Sequence, residues 1–189
     1  MEDSEYQGVR LSLDAYLDKT RIPLKIDIST GDVITPCEIS FSYQLMFENR
    51  TIPLLAYPPE TVLAEKLETI LSRGEANTRL RDFYDVYILQ REDFVVTPDA
   101  LCHALLATCR KRGHEDLLHT YASILDRVRQ SDTMRTQWMK YQSDFDYAAG
   151  ITWDTVLDTV ETLCMKTLDD HAFGDELPQE ESQFEMHLL

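Results

Sequence analysis

The apolar residues of this chain change their period at Tyr57-Pro58-Pro59. Before that point they alternate with polar residues, and after it they recur every three or four positions. Alternation places side chains on the two faces of a strand, whereas the longer period builds one stripe along a helix. The order strands-then-helices predicts an α+β chain. Val9, Leu11 and Leu13 alternate with Arg10, Ser12 and Asp14. In 21–29, Ile22, Leu24, Ile26 and Ile28 face one way and Lys25 and Asp27 the other, with Gly31-Asp32 as a turn signal. Ile39, Phe41, Tyr43 and Leu45 give a third strand, and 52–56 a fourth. Residues 1–57 therefore read as about four half-buried strands of an incomplete sheet.

Beyond 57 the punctuation is helical. Pro59 suits a first helical turn and Gly74 a stop, which predicts a helix over 60–73. Asn77 or Thr78 caps the next, running to about 90, and Thr97-Pro98-Asp99 opens a third that ends near Gly113. Further helices are predicted over 115–129, 132–141 and 152–167, so 58–168 reads as a helical domain. Residues 169–189 are acidic and poorly periodic, and are expected to form a flexible tail.

Composition narrows the class. Hydrophobic residues at 43% and charged residues at 28% match an ordinary folded protein. No apolar run approaches the roughly 18 residues of a membrane span, and Met1-Glu2-Asp3 does not open a secretory signal. Four cysteines without close pairing predict reduced thiols. The expectation is a cytoplasmic protein with no membrane partner. Its net charge of −16 is uneven: 144–189 holds twelve acidic residues and one basic one, Lys166. That balance disfavours a generic nucleic-acid binder, and the tail suits either solubility or a basic partner.

Three positions carry chemistry. Lys66 lies three after Leu63, four after Val62 and four before Ile70, on the apolar stripe of its helix. A lysine there needs an anionic partner or a cleft to line, or it snorkels at the stripe's edge. Asp82 and Asp85 are one turn apart among Phe83, Tyr84, Val86 and Tyr87, with Arg79 three before Asp82 and Arg81 four before Asp85. Either aspartate is placed to reach Lys66 from the neighbouring helix, as a phosphate site or as a structural ion pair. Asp27, on the polar face of K-I-D-I, is a candidate metal ligand or a solvated surface carboxylate.

Together these residues carry a resemblance. The stretch Y-P-P-E-T-V-L-A-E-K-L-E-T-I-L-S-R-G-E-A-N-T-R-L-R-D-F-Y-D-V-Y-I-L resembles the helical core of the AbiEii/AbiGii nucleotidyltransferase toxins, and 8–36 is similar to their strand region. The likeness runs from about Tyr6 to Leu89, with a weaker one in helical layout to about Thr167. It implies a fold like that of DNA polymerase β and nucleotidyl transfer from a nucleoside triphosphate with magnesium. By it, Asp27 matches a metal-side carboxylate, Lys66 contacts phosphate, and Asp82 and Asp85 orient Lys66. Arg79 is assigned beside Lys66 as a second nucleotide-binding cation. It also implies an antitoxin partner, tRNA or another acceptor, and a role in phage defence.

The chain departs from that pattern. Such enzymes open with a Gly-Ser or Gly-Gly turn followed by Asp-x-Asp, whose carboxylates hold two metal ions. None of the six glycines is followed by Ser or Gly. The one Asp-x-Asp, Asp144-Phe145-Asp146, sits in the helical half and reads as a surface pair. The expectation is an internal start or a split gene, with weak transfer by this chain alone. The alternative is a non-catalytic remnant working as a protein-interaction module, and a homodimer or a partner is expected to cover open sheet edges. Cys102, His103, Cys109, His114 and His119 lack zinc spacing. Trp138, Trp153, Tyr141 and Tyr147 read as bundle core rather than a base-stacking platform.

Overall fold

A computed structural model describes residues 8–91 and 96–169. Among the described residues the expected order holds: four strands, then six α-helices. Strand β1 (Val9–Leu17) pairs antiparallel with β2 (Thr20–Ile28), and β3 (Ile39–Gln44) pairs antiparallel with β4 (Thr51–Ala56). The β1–β2 turn is tight enough to hold Asp18 at a φ of 53°, a left-handed position that a short polar residue tolerates. Register puts Leu11 opposite Ile26 and Leu13 opposite Leu24 on one face. On the other, Arg10 lies opposite Asp27, with the two forming an ion pair, and Arg21 pairs with Asp14 at 2.8 Å.

The strands form two hairpins, not one sheet, among the described residues. Their apolar faces are not half-buried as the alternation suggested: Leu11 is 41% exposed, Leu24 46% and Phe41 50%. A two-stranded ribbon needs a second layer to bury a face, and here the helices pack on one another instead. The connection between halves is polar: Thr61 Oγ1 accepts from Thr35 N at 2.9 Å and donates to Thr35 O at 3.0 Å.

The helices are α1 (Pro59–Arg73), α2 (Leu80–Leu89), α3 (Pro98–Arg112), α4 (Leu117–Gln130), α5 (Asp132–Asp144) and α6 (Trp153–Leu168). Thr97, Ser131 and Thr152 cap α3, α5 and α6 through their hydroxyls, and Gly113 ends α3 with φ 68°. All three hydroxyls satisfy first-turn N–H groups that have no partner within the helix. Helix α1 is central and packs against α2, α3 and α4. Its Leu63, Leu67 and Ile70 are buried with Phe83, Leu105, Leu125, Trp138 and Val156. Each such side chain contributes about 1.5–3 kcal/mol. Trp138 donates its indole N–H to the Ile151 carbonyl at 2.8 Å, so its burial leaves no donor unpaired.

No helix among the described residues is long and apolar enough to cross a membrane. Of the acidic tail, only Asp169 is described, accepting a hydrogen bond from the Tyr121 hydroxyl; 170–189 lie outside the described residues.

Candidate functional site

Pro59 starts α1 and Gly74 stops it, and the short 74–79 connection brings α2 against it. Asn77 Oδ1 accepts from Arg79 N at 2.7 Å, which shapes that connection before α2 begins. The stripe of α1 carries Lys66 into the contact, where its side chain is 19% exposed. Lys66 Nζ donates to Asp82 Oδ1 at 3.1 Å and to Asp85 Oδ2 at 2.6 Å. Each aspartate has a second cation: Arg79 Nε is 2.9 Å from Asp82 Oδ2, and Arg81 Nε is 3.7 Å from Asp85 Oδ2. Arg79 Nη2 donates to Asp82 Oδ1 at 3.4 Å, whereas the approach of Nε to Oδ2 is a charge contact only, since that buried oxygen accepts no hydrogen bond. Asp82 is 2% exposed, so its charge depends on these partners.

This cluster forms the floor of an open recess of ≈ 690 Å³ lined also by Thr78, Leu80 and the side chains of α5. Gln137, Lys140, Tyr141 and Asp144 recur at helical spacing along α5 and line it together, and Phe145 follows at the helix end. Phe145 lies 4.7 Å from Tyr141 and 5.4 Å from Tyr147, ring centre to ring centre. Tyr141 and Tyr147 share a hydrogen bond of 2.9 Å. Burial pushes the Tyr141 hydroxyl above its ordinary range, and that bond adds to the shift, so it stays protonated.

Of the residues singled out by sequence, Lys66, Arg79, Asp82 and Asp85 meet in one place. Asp27 is not among the residues that line it. Its carboxylate stands exposed on the β1–β2 hairpin, where Arg10 donates to both oxygens at 2.5 and 3.0 Å. That bond holds Asp27 below its ordinary range. Both oxygens already carry a guanidinium, and among the described residues no three His, Cys, Asp or Glu side chains gather where an ion sits. These donors do not fit a magnesium site. Cys102, Cys109 and Cys164 are buried. Burial pushes them up to about 11, about 12 and about 12, so they stay neutral thiols near neutral pH.

Sequence reading missed two sets of residues. The α5 wall of Gln137, Lys140 and Phe145 shows its spacing in the chain, but nothing there tells that it faces α2. Glu68 was also missed: it is 2% exposed and is bonded by Arg112 and by His114 Nδ1, the latter at 2.7 Å. This clasp ties α1 to the end of α3 through residues more than forty positions apart, beyond the reach of local pattern.

The family model described as "Nucleotidyl transferase AbiEii toxin, Type IV TA system" matches residues 1–159. No curated protein and no solved structure gives a significant match.

Proposed function

For a chain that belongs to the AbiEii nucleotidyltransferase toxin family of type IV toxin–antitoxin systems, we propose that the recess between α1, α2 and α5 holds the phosphates of a nucleoside triphosphate. The observation that carries this is the Lys66 ammonium fixed between Asp82 and Asp85 at the recess floor. An ammonium has three N–H donors, and two are committed to carboxylates. The third is held in direction by the other two and is the donor for a phosphate oxygen. Arg79, Arg81 and Lys140 stand around the same space. Asp82 and Asp85 thus position Lys66 and do not themselves act as acid or base.

The family implies an antitoxin as partner, and tRNA is the acceptor class we propose for the nucleotidyl group. Magnesium is the ion such transfer draws on, but the donors described above do not fit it, and no step is assigned to a metal. Transfer by these 189 residues alone is accordingly expected to be weak. The Arg10–Asp27 pair also favours a second reading, a non-catalytic module that binds its partner through the acidic 169–189 segment.

The test is incorporation of labelled nucleoside triphosphate into total tRNA with magnesium present. Robust incorporation that Lys66→Ala abolishes overturns the weakness of transfer, and absence of any triphosphate binding overturns the phosphate reading. The second reading requires that deleting 169–189 weakens antitoxin capture while Lys66→Ala leaves it unchanged.

A further inference from the structure

The recess has two chemically different walls. Helices α1 and α2 supply mainly ionic groups, whereas α5 and the residue after it supply an amide, an ammonium, the Asp144 carboxylate and aromatic rings. Phe145 is 42% exposed and Tyr147 beside it 51%, although both belong to a ring cluster whose inner members, Trp138 and Trp153, are buried. A half-open phenyl ring on the wall of a recess whose floor is cationic offers a flat apolar face beside groups that suit phosphate.

We propose that Phe145 is the base-stacking surface of this recess. The proposal rests on the phosphate reading above: the ligand is a mononucleotide with its phosphates toward Lys66 and Lys140. Every nucleobase has a π face, so the wall recognises a base as such and discriminates weakly among bases. A mononucleotide is favoured over a long nucleic acid because the recess is nucleotide-sized while the whole chain carries −16.

The test compares ATP with inorganic tripolyphosphate, which carries the phosphates without the base, by calorimetry on the full 189-residue chain. Phe145→Leu is expected to weaken ATP about tenfold and leave tripolyphosphate unchanged, and Phe145→Tyr to restore ATP affinity. Lys66→Ala is expected to weaken both ligands. If both bind and Phe145→Leu alters neither, or alters both alike, the stacking role is overturned while the phosphate reading stands. If neither binds to the unaltered chain, both fall. A single-stranded RNA that binds more tightly than ATP and depends on Phe145 overturns the mononucleotide assignment.

Discussion

Lys66 Nζ stands 3.1 Å from Oδ1 of Asp82, a carboxylate that is 2% exposed. Removing Lys66 leaves a buried negative charge with Arg79 alone for compensation. Breaking such a pair from one side costs about 3–5 kcal/mol when nothing else compensates, and Arg79 reduces that. Lys66→Ala is expected to lower stability by about 2–3 kcal/mol in urea unfolding. Lys66→Met combined with Asp82→Leu is expected to cost less than the two single changes together. Additive costs would show that the two groups do not depend on each other.

The cysteines give a chemical check on the core. Thiols pushed up to about 11 and about 12 are ionised to ~0.1% or less at pH 8, and Cys102, Cys109 and Cys164 are buried as well. Cys37 is exposed. An aromatic disulfide reagent at pH 8 is expected to titrate one thiol rapidly in the native protein and four in denaturant. Fast reaction of a second thiol would place one of the three outside the core.

Glu65 offers a pH test. Its burial in α1 raises its carboxyl above the ordinary range, with Asp32 adding and Arg112 opposing. A raised carboxyl favours the protonated form in the fold. Its contribution to stability is therefore full below the ordinary carboxylate range and lost as pH rises through the raised value. Glu65→Gln removes that loss. Its urea midpoint is expected to exceed the parent's at pH 7, with the gap closing as pH falls into the carboxylate range. A gap that does not vary with pH would refute the assignment.

The uneven burial of similar side chains makes a fourth prediction. Leu67 is fully buried, whereas Leu11 on the β1–β2 hairpin is 41% exposed. Leu67→Ala is expected to cost about 2–5 kcal/mol and Leu11→Ala under about 1 kcal/mol in urea unfolding. Comparable costs would mean that the hairpin face is covered in solution.

Punctuation was the most legible part of this chain. Pro59, Gly74, Thr97, Gly113 and Thr152 lie within one or two residues of the ends they foretold, because capping is settled by a residue's own φ preference or side-chain hydrogen bond. The inter-helix site was legible for a related reason. A lysine on an apolar stripe and two aspartates among aromatics each demand a partner, and a connection of a few residues put them within reach of one another.

Alternation in the strands, by contrast, specified pairing and register but not what covers the apolar face. Leu11 meets Ile26 and Leu13 meets Leu24 across the hairpin as their period requires, yet burial needs a second layer, and layering is decided by how distant elements stack. The same limit hid Glu68, whose partners Arg112 and His114 arrive from the far end of α3. It also hid the α5 wall, since the spacing of Gln137, Lys140, Tyr141 and Asp144 defines a face without saying what it faces. Local sequence determined the elements and most of their ends, and it marked Lys66, Asp82 and Asp85 as a candidate cluster. Tertiary packing alone opened a recess above that cluster and gave it a second, aromatic side.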